Sequence, residues 1–119
     1  MSLFTDVFAN TNLDVAFVDG DLLALCTTAP TNAAPGTEVA APGYTRKAIT
    51  WSAAAARAKS IAAAIPFDPA GAAWGSITHW EVYNAAGTVR KAWGALTVAK
   101  NVIQDDVYTQ STLSVSHTP

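Results

Sequence analysis

The chain has 119 residues, a net charge of −2, and only 13% charged residues against 50% hydrophobic ones, where soluble domains average about 25% charged. Its length suits one domain with one core, and seven Lys and Arg without a cluster argue against binding nucleic acid, which needs basic residues gathered against phosphates. A single cysteine excludes an internal disulfide, and a surface so poor in charge is expected to be covered partly by partners.

No apolar run approaches the ~20 residues of a membrane span, and MSLFTDVFANTNLDVAFVDG lacks the basic start and long apolar core of a signal peptide. Cytoplasmic synthesis is therefore expected, with no membrane partner. Leu3, Phe4, Val7 and Phe8 have helical spacing, with Ser2 as candidate N-cap, and Asn10-Thr11-Asn12 reads as the break that ends this short helix. Asp19-Gly20-Asp21 is a turn signal. It leads into Leu22-Leu23-Ala24-Leu25-Cys26, a run of the length of a buried strand, in which Cys26 reads as a small buried hydrophobe and not a reactive thiol.

Residues 27–43, TTAPTNAAPGTEVAAPG, form a long loop or arm. A structureless segment of this length usually has a task, and it either docks on a neighbour or moves freely. Gly43 to Trp51 reads as a strand with imperfect alternation. The stretch WSAAAARAKSIAAAIPF from Trp51 to Phe67 has the composition of a helix. Yet Ile61, Ala63, Ile65 and Phe67 alternate ahead of a proline, and a strand is expected over about 59–66, with 53–58 open between loop, strand and a single helical turn.

Ile77–Tyr83 and Val89–Leu96 read as a hairpin closed by Asn84-Ala85-Ala86-Gly87, with Trp80 and Trp93 facing each other across it. Two more strands are expected at Asp106–Gln110 and Ser111–Ser116. The basic pairs Arg46-Lys47, Arg57/Lys59 and Arg90-Lys91 are expected on solvated strand faces. Six or seven short strands separated by Gly and Pro turns indicate a mainly β fold, a small antiparallel β-sandwich filling residues 1–119, with a short N-terminal helix and the arm at 27–43.

Catalytic spacing is absent. His79 and His117 have neither H-x-x-x-H nor C-x-x-C company, so no metal and no cofactor is expected. A histidine hydrogen-bonded within the sheet is the plain reading of His79; a hydrolase built around it lacks a nucleophile elbow. Asp105-Asp106 reads as a solvated turn, since adjacent strand residues point to opposite faces and cannot flank one bond. The four tryptophans, Trp51, Trp74, Trp80 and Trp93, divide between core, interface and sugar-stacking roles.

The ordered strings LALCTTAP, TEV, GYTRKAITW, WGSITHWEVYNAAG, GAL and LSV, covering roughly residues 20 to 116, resemble a family of small tailed-bacteriophage virion proteins, labelled tail-fibre-like or minor structural proteins. The alanine-rich segment and Gln104-Asp105-Asp106 depart from that pattern. The resemblance implies a β-sandwich present in many copies on the virion, acting by contact and without enzymatic activity. Expected partners are copies of itself and the major capsid protein or tail proteins, with assembly in the host cytoplasm. A head decoration or cement protein is favoured over a tail component because the long low-charge arm suits clamping capsid neighbours; the alternative is a tail-fibre module that binds a host glycan. Pro30, Pro35, Val39, Pro42, Trp74 and Trp93 are the candidate interface residues.

Overall fold

Thr5 opens the helix α1 (Asp6–Ala16): its hydroxyl accepts from the Phe8 amide at 3.3 Å, and Asp6 lies in the first turn, where a carboxylate favours the positive helix end. The expected break at Asn10-Thr11-Asn12 does not occur. Ala9, Leu13 and the C-cap Phe17 recur at four-residue spacing and are all buried, while Asn10 spends its side chain on a distant amide instead of local backbone. The computed structural model describes residues 5–116, so Ser2, Leu3, Phe4 and His117 lie outside the described residues.

Eight strands follow among the described residues: β1 (Leu22–Cys26), β2 (Lys47–Ala48), β3 (Ala58–Ser60), β4 (Ile65–Pro66), β5 (Gly75–Tyr83), β6 (Arg90–Val102), β7 (Thr109–Gln110) and β8 (Ser114–Ser116). The mainly β, antiparallel reading holds. One four-stranded sheet runs in the order β2-β1-β5-β6, and the remaining strands pair as two ribbons, β3-β8 and β4-β7, so that the second layer of the expected sandwich is divided.

Several expected strands are shorter or split. Gly43 to Trp51 contributes only β2, because the Asp19–Asp21 turn claims its later amides: Ile49 donates to the Asp21 carbonyl at 2.7 Å and Trp51 to the Asp19 carboxylate at 2.8 Å. The stretch 59–66 is not one strand but β3 and β4, whose partners differ; at the break, Ile61 bridges to Trp51 and donates to the Leu113 carbonyl. Residues 51–61 thereby form an irregular hairpin tipped at 55–58, where Ala55 and Ala58 exchange both backbone bonds at 2.9 Å and Ala56 and Arg57 have φ of 49° and 64°. Two successive left-handed residues are the requirement of a tight hairpin turn, met here without glycine.

The long hairpin is larger than expected, β6 reaching Val102. Asn84 closes its loop, with its side-chain oxygen accepting from the Thr88 and Val89 amides. Trp80 and Trp93 do not face each other: Trp80 pairs with Gly94 and Trp93 with Glu81, which puts the two indoles on opposite faces. At Gly94 a side chain is excluded, since a Cβ there would lie 2.6 Å from Trp80 Cζ2.

One core cluster joins Leu23, Leu25, Trp80 and Val82 of the sheet to Leu13 of α1 and its C-cap Phe17, to Ile65 and Val115 of the ribbons, and to Tyr108 just before β7. Ile77 also belongs to it, three residues before Trp80, because the β5–β6 register shifts between Ile77 and His79 and absorbs the odd residue. Phe67, Trp74 and Tyr44 meet edge-on or stacked within 6.3 Å of each other.

Candidate functional site

The sheet face opposite this core carries Cys26, His79, Glu81, Tyr83 and Trp93, neighbours through the registers Cys26↔His79 and Glu81↔Trp93. The first part of the 27–43 segment lies over it. Arg90 reaches from the start of β6 to the Glu81 carboxylate (2.9 Å) and also donates to the carbonyls of Thr31 and Ala34, while Trp93 Nε1 donates to Asn32 Oδ1 at 3.2 Å. The arm is therefore latched to its own sheet.

Glu81 is fully buried, and both its oxygens are occupied. Oε1 accepts from the Cys26 thiol and the Tyr83 hydroxyl, and Oε2 from Arg90 and the Gly36 amide. A buried carboxylate needs such company to remain charged. Saturated in this way, it has no lone pair to offer a substrate proton and works as a clamp. Burial, reinforced by the Glu81 carboxylate, pushes the Cys26 thiol up to about 12, the reverse of what a nucleophile requires.

A second polar cluster lies alongside. Glu38 holds Arg46 in a two-pronged pair at 2.8 and 2.9 Å and accepts from Tyr44, whose own oxygen accepts from the Leu25 amide. The Arg46 guanidinium lies 3.9 Å from the Tyr83 ring centre. Burial raises the Glu38 carboxyl, but the bonds from Arg46 and Tyr44 outweigh it and hold the group below its ordinary value; burial and that carboxylate push the Tyr44 phenol well up.

The basic pairs are not on solvated faces, contrary to expectation. Arg46, Lys47, Arg57, Lys59, Arg90 and Lys91 each pair with a carboxylate, and Lys91 bridges the buried Asp21 and the last helical carbonyl, Ala16, at 2.7 Å each. With so few charges, nearly all are spent on joining elements. Glu81 and Arg90 meet because the β5–β6 register shifts between Val82 and Tyr83, which sets Arg90 instead of Lys91 opposite Tyr83 and so on the Glu81 face; a regular hairpin pattern read from the sequence does not give that pair.

Of the six candidate interface residues, Pro30, Val39 and Trp74 are buried within the chain, with Trp74 Nε1 donating to the Pro42 carbonyl, whereas Pro35, Pro42 and Trp93 are exposed. The His79 ring nitrogen Nδ1 stands 2.8 Å from the Thr78 hydroxyl, and the ring lies 6.5 Å from that of Trp93. Asp105 and Asp106 form a turn, the Asp106 carboxylate accepting from the Ile103 amide. No group of three His, Cys, Asp or Glu residues able to hold a metal occurs among the described residues, and no described helix is long and apolar enough to cross a membrane.

A groove of about 610 Å³ lies between the middle of β6 and the 108–114 segment, lined by Trp80, Thr97, Lys100, Gln110 and Thr112 among others. A family model described as Podophage GP4 fiber I protein gp80 matches residues 8–118 of the chain. No curated protein matches it.

Proposed function

The chain belongs to the podophage GP4 fiber I protein gp80 family, and from that premise we propose that it is a structural module of a podophage tail fibre, carried in the virion and acting by contact with copies of itself and with tail proteins. The observation that carries the reading beyond the family is the saturation of Glu81: the best-built polar centre of the molecule fastens a loop and leaves nothing for a reaction. Enzymatic activity and cofactors have no part in it.

The same observation weighs between tail and head. Head decoration drew its support from an arm free to clamp capsid neighbours, and the arm's first half is engaged by Arg90, Glu81 and Trp93 of its own chain. Gold-labelled antibody against the chain, viewed on purified particles, is expected to mark the tail. Label over the head surface would restore the decoration reading, and particles devoid of the chain would end the virion reading.

A second reading is supported by the groove beside β6, whose hydroxyl and amide side chains and single cation suit a neutral glycan. A glycan array probed with the chain and with Thr97→Trp, which fills the groove, tests it: binding lost in the variant supports a sugar site, and no binding by the native chain removes it.

A further inference from the structure

The four indoles of the chain differ in what their N–H groups meet. Trp74 Nε1 donates to the Pro42 carbonyl and Trp93 Nε1 to Asn32, while Trp51 Nε1 is sealed inside without an acceptor. Trp80 is the remaining case. Among the described residues nothing accepts from its Nε1, yet the atom is not sealed, and the side chain, only 8% exposed, lines the groove beside β6. The core and the close contact with Gly94 fix this indole in place. A donor held so deep and left open to the groove wants an acceptor there.

The groove is shaped on both sides. One wall is the bulge of β6: Ile77 matches Lys100 and His79 matches Ala95, so Leu96, Thr97 and Val98 stand opposite Thr78 without register partners and border the cavity. The other is the 108–114 segment, stiffened by the buried Gln110, which accepts from the Tyr108 hydroxyl and donates to the Thr112 carbonyl, each at 2.6 Å. Its volume of about 610 Å³ lies in the range of about 300–1,000 Å³ typical of small-ligand sites. Burial divides the lining into floor and rim. Ile61, Leu96 and Leu113 belong to the core or pack against it, whereas Thr97, Ser111 and Thr112 are exposed.

We propose that the groove selects a sugar bearing an N-acetyl group, whose carbonyl accepts from Trp80 Nε1 and whose methyl lies on the apolar floor, while the ring hydroxyls meet the rim. A carbonyl suits the indole better than a hydroxyl does. A hydroxyl would carry its own hydrogen down to a floor where the polar groups, Tyr108 and Gln110, are already bonded to each other and to Thr112, whereas a carbonyl accepts and brings no donor. Lys100, exposed at the groove, keeps its hydration and requires no anion. The inference rests on the reading of the groove as a neutral-glycan site and names the substituent that the site reads.

NMR titration of the purified chain tests it, with the N-acetylglucosamine trimer and with cellotriose, the glucose trimer of the same linkage that has a hydroxyl in place of each acetamido group. The expected result is binding of the acetylated trimer at least about tenfold tighter, with the Trp80 indole N–H signal shifted on binding and those of Trp51 and Trp74 unmoved. Trp80→Phe keeps a ring and removes the donor, and is expected to abolish the preference; circular dichroism checks its fold, and the indole signal needs no variant. Equal affinity for the two trimers, or binding of the acetylated one that leaves the Trp80 signal in place, overturns the proposal. A glycan array separates this failure from that of the underlying reading: sugars bound by the native chain, lost in Thr97→Trp and indifferent to acetylation, defeat the N-acetyl selection and leave the glycan site standing, whereas no binding to any sugar removes both.

Discussion

Gly94 is where a single atom decides the packing of the main sheet. The Trp80 ring lies across its Cα side, and a methyl there meets Trp80 Cζ2 at 2.6 Å and Cε2 at 2.8 Å. Trp80 is part of the core and cannot retreat without opening it. Gly94→Ala is expected to lower stability by about 1–3 kcal/mol, the usual scale of overpacking, read as a shift in the urea midpoint. A midpoint within error of the native chain would mean that the indole has room to move. Cys26 makes the opposite point, being a reactive residue type in an unreactive place. With its thiol buried and pushed up to about 12, it is expected to ignore a thiol reagent at pH 8 and to react at once on unfolding. Rapid labelling of the native chain would contradict that burial.

Between elements, the alanine hairpin and the loop latch are the two places where local preference is overridden. Ala56 and Arg57 hold left-handed backbone at a cost that glycine avoids. Ala56→Gly is expected to raise stability by about 0.5 kcal/mol, seen as a higher urea midpoint; a lower one would show that the turn carries no strain. Removing Arg90 strands a buried carboxylate, so Arg90→Ala is expected to cost about 3–5 kcal/mol and to speed hydrogen exchange at 31–36 before the rest of the sheet; unchanged exchange there would refute the latch. Periodicity exposed the hairpin of β5 and β6, the buried run of β1 and the alternation of Leu113 and Val115, because each follows from neighbours in sequence. It did not expose the extension of α1 through Asn10, the division of 59–66 or the path of the arm, because these depend on partners forty or more residues away: the Arg57 amide for Asn10, the C-terminal strands for β3 and β4, and Arg90 for the Thr31 and Ala34 carbonyls. Half of the candidate interface failed to surface for a related reason. Proline and tryptophan mark contact surfaces by composition, and Pro30 and Trp74 make their contacts inside the chain.

Over the whole molecule, the ion pairs set how the fold answers to acid. The carboxyls of Glu38 and Asp14 both lie below their ordinary values of 4.5 and 3.8; for Asp14 the bond from Lys59 is the chief cause, followed by the Ala54 amide. A carboxylate lowered on folding contributes stability in full above its unfolded pKa, and that contribution is lost as pH falls through the folded value. Stability is therefore expected to hold above about pH 4.5 and to decline below it, with Glu38→Gln less stable at neutral pH and flatter in acid. Parallel pH curves for the two chains would assign the acid response to other groups. The stripe Asp6, Asn10 and Asp14 on α1 has a different kind of consequence. It grips the alanine hairpin in part by main-chain donors, the amides of Ala54 and Arg57, alongside the Arg57 and Lys59 side chains. Where the helix reads an amide, as at Ala54, the identity of the residue that bears it does not enter, whereas Arg57 and Lys59 are also held by their own side chains. Positions 53, 55 and 62–64, exposed and outside that grip, are thus free to drift among related chains in side chain, with proline barred from 54, 55, 57 and 62, where the amide is already committed.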